Sequence, residues 1–403
     1  MSLVLNTNIN SLVAQNSLAS SGLQLSSALQ QLSSGLRVNT AADDAAGFAI
    51  AQGMTSQIDG LNQAAQNAND GVSLTQTASG AMSEVTKDLQ TMRDLAVESL
   101  NATNSANDRA DLNAQFAQLA ADINNVAANT QFNGVNLLDG SFQGADFQIG
   151  ANAGQIISVS SIASTSTSAI GNYYTTAAAT GAYAGTAANK GDTASFDITV
   201  GTNAQITTGN VTLTGNQATD VKNVASAINE AVGSTYGIVA TVNAAGTGID
   251  LSTAQGTAQT VTVAVDAAST FATNTLTQNG LGLDASYTLG SAAGAAKTLS
   301  NTDVTSVDNS NLVLISVDNA LQQLATSSAQ LGAYQNRFQA AIEGLNTTAT
   351  NLSNAKSSIV DTNYAQATSN LSKAQILQQA GTSMVAQANT IPQNILTLLQ
   401  KLP

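Results

Sequence analysis

The side chains able to do chemistry in this sequence are few. Asp43 and Asp44 form its one tempting carboxylate pair, and the chain contains no His and no Cys. That removes imidazole and thiolate metal ligands, the commonest general base and the thiol nucleophile. A metalloprotease helix of the His-Glu-x-x-His type is closed by the same absence. Neighbouring residues on a helix do not face each other, so Asp43 and Asp44 would not act as an acid–base couple. Either is better placed to cap a helix starting just after them, with Gly47 leaving room for close packing. No catalytic, metal or cofactor site is expected.

The elements around these residues are poor in charge. Charged residues make up 9% of the 403 and aromatics 4%, with no Trp; ordinary soluble proteins carry about 25% charge. Such a chain suits long elements with narrow apolar seams better than one thick core. The net charge of −14, with eleven scattered bases and no basic patch, excludes nucleic-acid binding, which depends on neutralising phosphates. No apolar run approaches the roughly 20 residues of a membrane span. The opening MSLVLNTNINSLVAQ lacks the basic region of a cleavable signal peptide.

Both ends carry helical periodicity. Leu25, Leu29, Leu32 and Leu36 recur in alternating steps of four and three, the spacing of a heptad seam. Further apolar rows follow through Ile58 to Val72, Met82 to Ala96 and Leu112 to Val126, the last after the polar break Asn101–Asn107, where Ser105 or Asn107 could cap. Near the other end, Val313, Val317, Leu324, Leu331, Phe338, Leu345, Leu352 and Ile359 fall on one seam. The narrow stripes predict an antiparallel bundle formed by the two ends. No charge precedes Arg37, and only Lys373 and Lys401 follow Asp361. Helices so free of charge would be sticky on a monomer and buried in an assembly. The positions expected to carry assembly are Leu25, Leu29, Leu32 and Leu36, with Ile376, Leu377, Met384, Val385, Ile395, Leu396, Leu398 and Leu399.

The middle reads differently. Asn133-Gly134 and Asp139-Gly140 are turn dipeptides, followed by strand-like runs at 147–149 and 156–159. Gly171 to Lys190 reads as loop. Strands are expected at 195–200, 211–214, 238–242 and 261–265, with a helix from Ala218 to Val232 and a return linker from Gly280 to Thr302. The fold class is thus mainly α with an inserted α+β/β module: a long coiled-coil bundle of the two ends, a β-hairpin region and a central domain.

Short motifs at both ends carry a resemblance. They are Asn6-Thr7-Asn8 with Ser11-Leu12, Gln31-Leu32-Ser33-Ser34-Gly35, Arg37-Val38-Asn39, Asp43-Asp44-Ala45-Ala46-Gly47, Asn67-Ala68-Asn69-Asp70-Gly71 and Thr130-Gln131-Phe132-Asn133-Gly134. At the other end stand Ile376-Leu377-Gln378-Gln379-Ala380-Gly381-Thr382-Ser383 and Pro392-Gln393-Asn394. In this order they resemble bacterial flagellin, over roughly the first 165 and last 95 residues. Residues 218–265 also resemble a small repeat found in flagellin and hook-protein surface domains.

The resemblance implies a secreted, extracellular filament subunit. Residues 1–42 and 356–403 would form its inner coiled-coil core and 43–170 and 306–355 its outer helical core. Residues 171–305 would form a variable, surface-exposed domain. Its partners would be copies of itself, an export chaperone at the C-terminal helix, the filament cap and the hook-associated junction proteins. Export would run through the flagellar type III channel. Host innate immune receptors are further partners that the resemblance implies, through Arg37, Asn39, Asp43 and Asp44 in one stretch and Gln90, Arg93 and Leu95 in another. The family usually has Lys at the position of Ala42. Potent receptor agonists usually have Arg at Thr91 and an acid at Gln115. These departures predict weakened recognition. A hook–filament junction protein and a surface adhesin carried in residues 195–265 are the alternatives.

Overall fold

The protein is described from a computed structural model, which covers residues 8–175, 191–201, 203–243, 246, 248–253, 259–266, 286–289 and 296–400. The chain divides into two compact units. The first comprises Met1–Ala68, Gln148–Ile156 and Ala340–Pro403; the second comprises Asn69–Phe147 and Ile157–Gln339.

The first unit holds helices α1 (Ile9–Ser34) and α7 (Tyr364–Gln400), the start of α2 (Ala45–Ser99) and the end of α6 (Val307–Val360). Asn8 caps α1 by accepting from the Ser11 amide at 3.1 Å. Gly35 ends it in the left-handed conformation at φ 70°, donating to the Gln31 carbonyl. A Cβ there would stand 2.9 Å from the hydroxyl of the exposed Tyr364, which can swing aside, so the left-handed backbone is what calls for glycine. The chain then pairs Leu36 with Asp361 in an isolated antiparallel bridge. The Arg37 amide donates to the Val360 carbonyl at 2.6 Å and the Thr362 amide to the Gly35 carbonyl at 2.9 Å. One carboxylate oxygen of Asp43 accepts from the Asn39 and Thr40 amides at 3.1 and 2.8 Å. Asp44 caps α2, accepting from the Gly47 amide at 2.9 Å, and a Cβ on Gly47 would collide with that carboxylate and stand 3.4 Å from Ile359. The expected cap and the expected close approach are both present.

The second unit holds the rest of α2, α3 (Ala106–Asn129) and the rest of α6. Ser105 and Asp108 form a capping box at the start of α3. Arg109 fixes the preceding turn by donating to the carbonyls of Ser99, Asn101 and Asn104. The core gathers Val85, Leu89 and Met92 from α2, Phe116 and Ile123 from α3, and Val313, Val317 and Leu324 from α6. Here the periodic rows bury as the sequence predicts. Strands β1 (Gln131–Phe132) and β2 (Val135–Asn136) form a hairpin whose turn has Asn133 at φ 50° and Gly134 at φ 79°, the geometry that favours Asn-Gly. Strands β3 (Gly144–Gln148) and β4 (Ile156–Ser160) pair next.

The inserted module belongs to the second unit. It has β5 (Tyr174–Thr175), β6 (Thr193–Ala194), β7 (Phe196–Val200), β8 (Ile206–Thr207), β9 (Val211–Thr212), α4 (Gln217–Ile228), α5 (Ser234–Tyr236), β10 (Ile238–Val242), β11 (Ile249–Thr253), β12 (Gln259–Val265) and β13 (Ser286–Leu289). The sheets run β13-β12-β7-β8, β10-β11-β5 and β6-β9. The apolar face of α4 (Val221, Val224, Ile228) packs with Phe196, Ile198 and Leu251 in one core. Asp220 is buried at the start of α4, where its carboxylate accepts from the Thr214 and Gly215 amides.

Two expectations are corrected. The supposed return linker Gly280 to Thr302 contains β13, which pairs with β12, and a 3-10 turn at Leu299–Asn301. The supposed loop from Gly171 contains β5, paired with β11; residues 176–190 of it lie outside the described residues. Strand β11 was not among the expected strands, although Ile249, Asp250, Leu251 and Ser252 alternate apolar and polar.

Two outcomes follow. A Cβ at Gly71 would stand 2.5 Å from the ring of Phe338, which stacks edge-on against Phe147 at 5.2 Å. Gly71→Ala is expected to cost about 1–3 kcal/mol in chemical denaturation, less in a Phe338→Leu background; an unchanged midpoint would contradict this packing. Asp43 is held below the ordinary carboxylate range, chiefly by the Thr40 amide and then by its hydroxyl and the Asn39 amide. A depressed folded-state value means this brace is present above the ordinary Asp value of about 3.9 and lost as pH falls through the lowered value. Amide exchange at Asn39 and Thr40 should therefore accelerate only under strong acid, and at all pH values in Asp43→Ala.

Candidate assembly interface

Helices α1 and α7 run antiparallel, as their end contacts require. The Asn8 side chain donates to the Ala388 carbonyl at 2.8 Å, the Ser11 hydroxyl to Asn389 at 2.8 Å, and Gly35 lies at Tyr364. The residues fully buried between them are small: Ser11, Ser21 and Ala28 on α1, Ala367, Ala374 and Ala388 on α7. A Cβ on Gly381 would meet Leu18 at 3.1 Å. Small side chains let the backbones approach and leave little apolar area in the seam itself.

The larger apolar residues divide between the seam and the surface. Leu25, Leu32 and Val385 are half-buried beside the seam. Leu29 is 51% exposed, Ile376 65% and Met384 64%, with Leu377 also exposed. The expected α1 seam is therefore corrected: its register runs through Ala28, one residue away, and Leu29 points outward. Leu36 is half-buried just beyond the end of α1, where it pairs with Asp361. Ile395, Leu396, Leu398 and Leu399 sit on the last turns of α7, and their side chains lie outside the described residues. Sequence reading missed Ile9, Leu12, Val13 and Leu23, which are exposed on α1; their signal was large apolar residues off the Leu row in a charge-free segment. Val13, Ser17, Leu377, Gly381 and Met384 line an open groove of about 620 Å³ along the pair. Among the described residues of α1 and α7, Lys373 is the one charge. This surface offers apolar contact and neutral hydrogen bonding, and no acid–base or ligand chemistry.

The residues singled out as receptor contacts are spread through both units. Asp43 and Asp44 are spent on backbone amides, and the exposed Arg37 donates through its guanidinium to the Ile359 carbonyl. Asn39 and Ala42 are exposed. On α2, Gln90 and Thr91 face outward, and the Thr91 hydroxyl returns to the Lys87 carbonyl at 3.1 Å. Arg93 pairs with Asp318 at 2.7 Å, both half-exposed, and this contact raises the guanidinium's pKa. Gln115 is exposed on α3. Leu95 is corrected: it is buried in the helical core and offers no side chain to a receptor. Among the described residues no cluster of His, Cys, Asp or Glu could hold a metal ion, and no helix is long and apolar enough to cross a membrane.

Comparison with known proteins places these ends. The bacterial flagellin N-terminal helical region matches residues 5–143 and the bacterial flagellin C-terminal helical region residues 314–399. The B-type flagellin of Pseudomonas aeruginosa is 36% identical, over 99% of this chain and all of that protein. Flagellin B of Vibrio cholerae is 37% identical over the same shares. Among solved structures, FliC from Burkholderia pseudomallei is 29% identical, covering 66% of this chain and 99% of that one, with a TM-score of 0.38. Two terminal regions in the family's order and full-length relatives that are themselves flagellins lead to one conclusion: the chain belongs to the bacterial flagellins, the structural subunits of the flagellar filament.

Proposed function

We propose that this flagellin polymerises through the outward faces of α1 and α7. The observation that carries the reading is the set of large apolar residues left uncovered on a helix pair with almost no charge: Leu23, Leu29, Ile376 and Met384 foremost. Covering one such side chain is worth about 1.5–3 kcal/mol, and no ion must be desolvated to do it. Leu25, Leu32 and Val385 would then set the pairing of α1 with α7, and Leu29, Ile376, Leu377 and Met384 would meet neighbouring copies. Residues 1–42 and 356–403 would form the inner core of the filament, 43–170 and 306–355 its outer core, and 171–305 the exposed domain.

The further partners belong to the same reading. The chain would leave the cell unprocessed through the flagellar export channel, held beforehand by a chaperone at α7, and would join the extracellular filament between its junction proteins and cap. It would not act as an enzyme, since its adjacent carboxylates serve the backbone. Recognition by innate immune receptors would be weak, because Ala42, Thr91 and Gln115 replace charged residues and Arg93 is engaged with Asp318. Arg makes planar, bidentate contacts that Thr cannot.

Electron microscopy of seeded, purified chain tests assembly. Full-length protein should grow long filaments, and a chain trimmed to residues 45–355 should grow none. Leu29→Asp and Ile376→Asp should each abolish growth while leaving helical content of the monomer intact; growth at normal yield would sink the proposed interface. In a receptor-reporter assay, Thr91→Arg should raise the response to monomer, and a potent response to the unaltered chain would refute weak recognition.

A further inference from the structure

The chain has five methionines and no cysteine, so thioethers are the only sulfur it offers to an oxidant. The fold treats them unequally. Met82 and Met92 are fully buried on α2, and the Met82 sulfur accepts from the Ser328 hydroxyl at 3.7 Å. Met54 is half-buried near the start of the same helix. Met384 on α7 is 64% exposed. Among the described residues it is the one exposed methionine.

Its neighbours explain the exposure. A helical side chain is flanked by the residues three and four positions away. For Met384 these are Ala380, Gly381, Gln387 and Ala388, three of which carry a methyl group or less. Its own helix therefore gives the sulfur little cover. Val13, Ala14 and Ser17 of α1 and Leu377 of α7 line the same open groove. In the assembly proposed above, neighbouring copies cover this face, so the sulfur is open in the free chain and closed in the polymer. An oxidised thioether is polar and chiral, and it no longer suits an apolar contact.

We propose that Met384 is a redox-sensitive modification site that gates polymerisation: a peroxide oxidises its thioether in the free chain, and the oxidised chain no longer joins a filament efficiently. The inference rests on the reading that α1 and α7 carry assembly. The sulfur gives a lone pair to one peroxide oxygen, the O–O bond breaks, an S–O bond forms, and the other oxygen leaves as water with both protons. Sulfur is oxidised by two electrons to the sulfoxide and the peroxide is reduced. The change is reversible: methionine sulfoxide reductase with a dithiol returns the thioether, the oxygen leaving as water and the dithiol becoming a disulfide. A sulfoxide oxygen pressed into an apolar contact loses its water without gaining a partner, which weakens addition to the filament end. Once neighbours cover the sulfur, peroxide no longer reaches it.

The test treats purified full-length monomer briefly with hydrogen peroxide and follows it by peptide mapping and seeded growth. Met384 should oxidise ahead of Met82 and Met92, and elongation should slow about tenfold, the factor that goes with one unpaired polar group at a contact. Methionine sulfoxide reductase with a dithiol should restore growth. Peroxide should leave the growth rate of Met384→Leu where it was before treatment, and Met384→Gln should grow as slowly as the oxidised chain. Preformed filaments should keep Met384 reduced under the same treatment. Helical content, read in every sample, shows whether the monomer is otherwise unchanged. Normal growth of chain oxidised at Met384 would overturn the proposal. So would resistance of Met384 to peroxide, or an equal loss of growth in treated Met384→Leu. The Leu29→Asp variant separates this inference from the one beneath it. If Leu29→Asp stops growth and the sulfoxide does not, the redox inference alone fails; if Leu29→Asp also grows, the assembly face is misplaced and both fail.

Discussion

The first unit rests on one constraint: two helices packed through small residues cannot bury the large apolar residues on their remaining faces. Ser11, Ser21, Ala28, Ala367, Ala374 and Ala388 fill the seam between α1 and α7. Each contributes little area, and burial is worth about 25 cal/mol per Å² of apolar surface. The larger residues Ile9, Leu12, Val13, Leu23, Leu29, Ile376, Leu377 and Met384 remain exposed. At about 1.5–3 kcal/mol for each one covered, this uncovered set rivals the 5–15 kcal/mol net stability of a typical domain.

The second unit solves its packing within the chain. Leu89, Met92, Phe116, Ile123, Val313 and Val317 are all buried against one another, and the module has a core of its own around Phe196 and Ile228. Charged side chains here are spent on backbone groups. Arg109 satisfies three carbonyls at the α2–α3 turn, and Asp220 accepts the amides of the turn that precedes α4. The contrast between the units is one of partner supply. In one the large side chains meet each other, and in the other they meet solvent.

Local chemistry was the most legible part of the sequence. The Asp44 cap, the Ser105 capping box and the Asn133-Gly134 turn each depend on a few adjacent residues, so their signals survive whatever the rest of the chain does. The helical rows in α2, α3 and α6 were legible because their burial follows side-chain size. Strands β5, β11 and β13 were not. They are short, two to five residues each, and pairing with other strands decides their state.

The one-residue error on α1 has the same root as the assembly reading. A search for periodicity follows the largest apolar residues and so selects Leu29. The folded pair selects Ala28, because close helix approach rewards the smaller side chain. Leu29 is thereby turned away from α7 and left half-exposed on a segment with no charge before Arg37. If α1 needed only α7, a Ser, Lys or Glu would serve better at that position, as it would at Leu23 and Ile376. Keeping Leu and Ile there costs solubility and buries only part of each side chain within one chain. The placement makes physical sense when those faces are covered by further helices. A surface of neutral and apolar residues can be covered on several sides without stranding a charge, which is why an almost charge-free sequence and a small-residue seam occur together at these two ends.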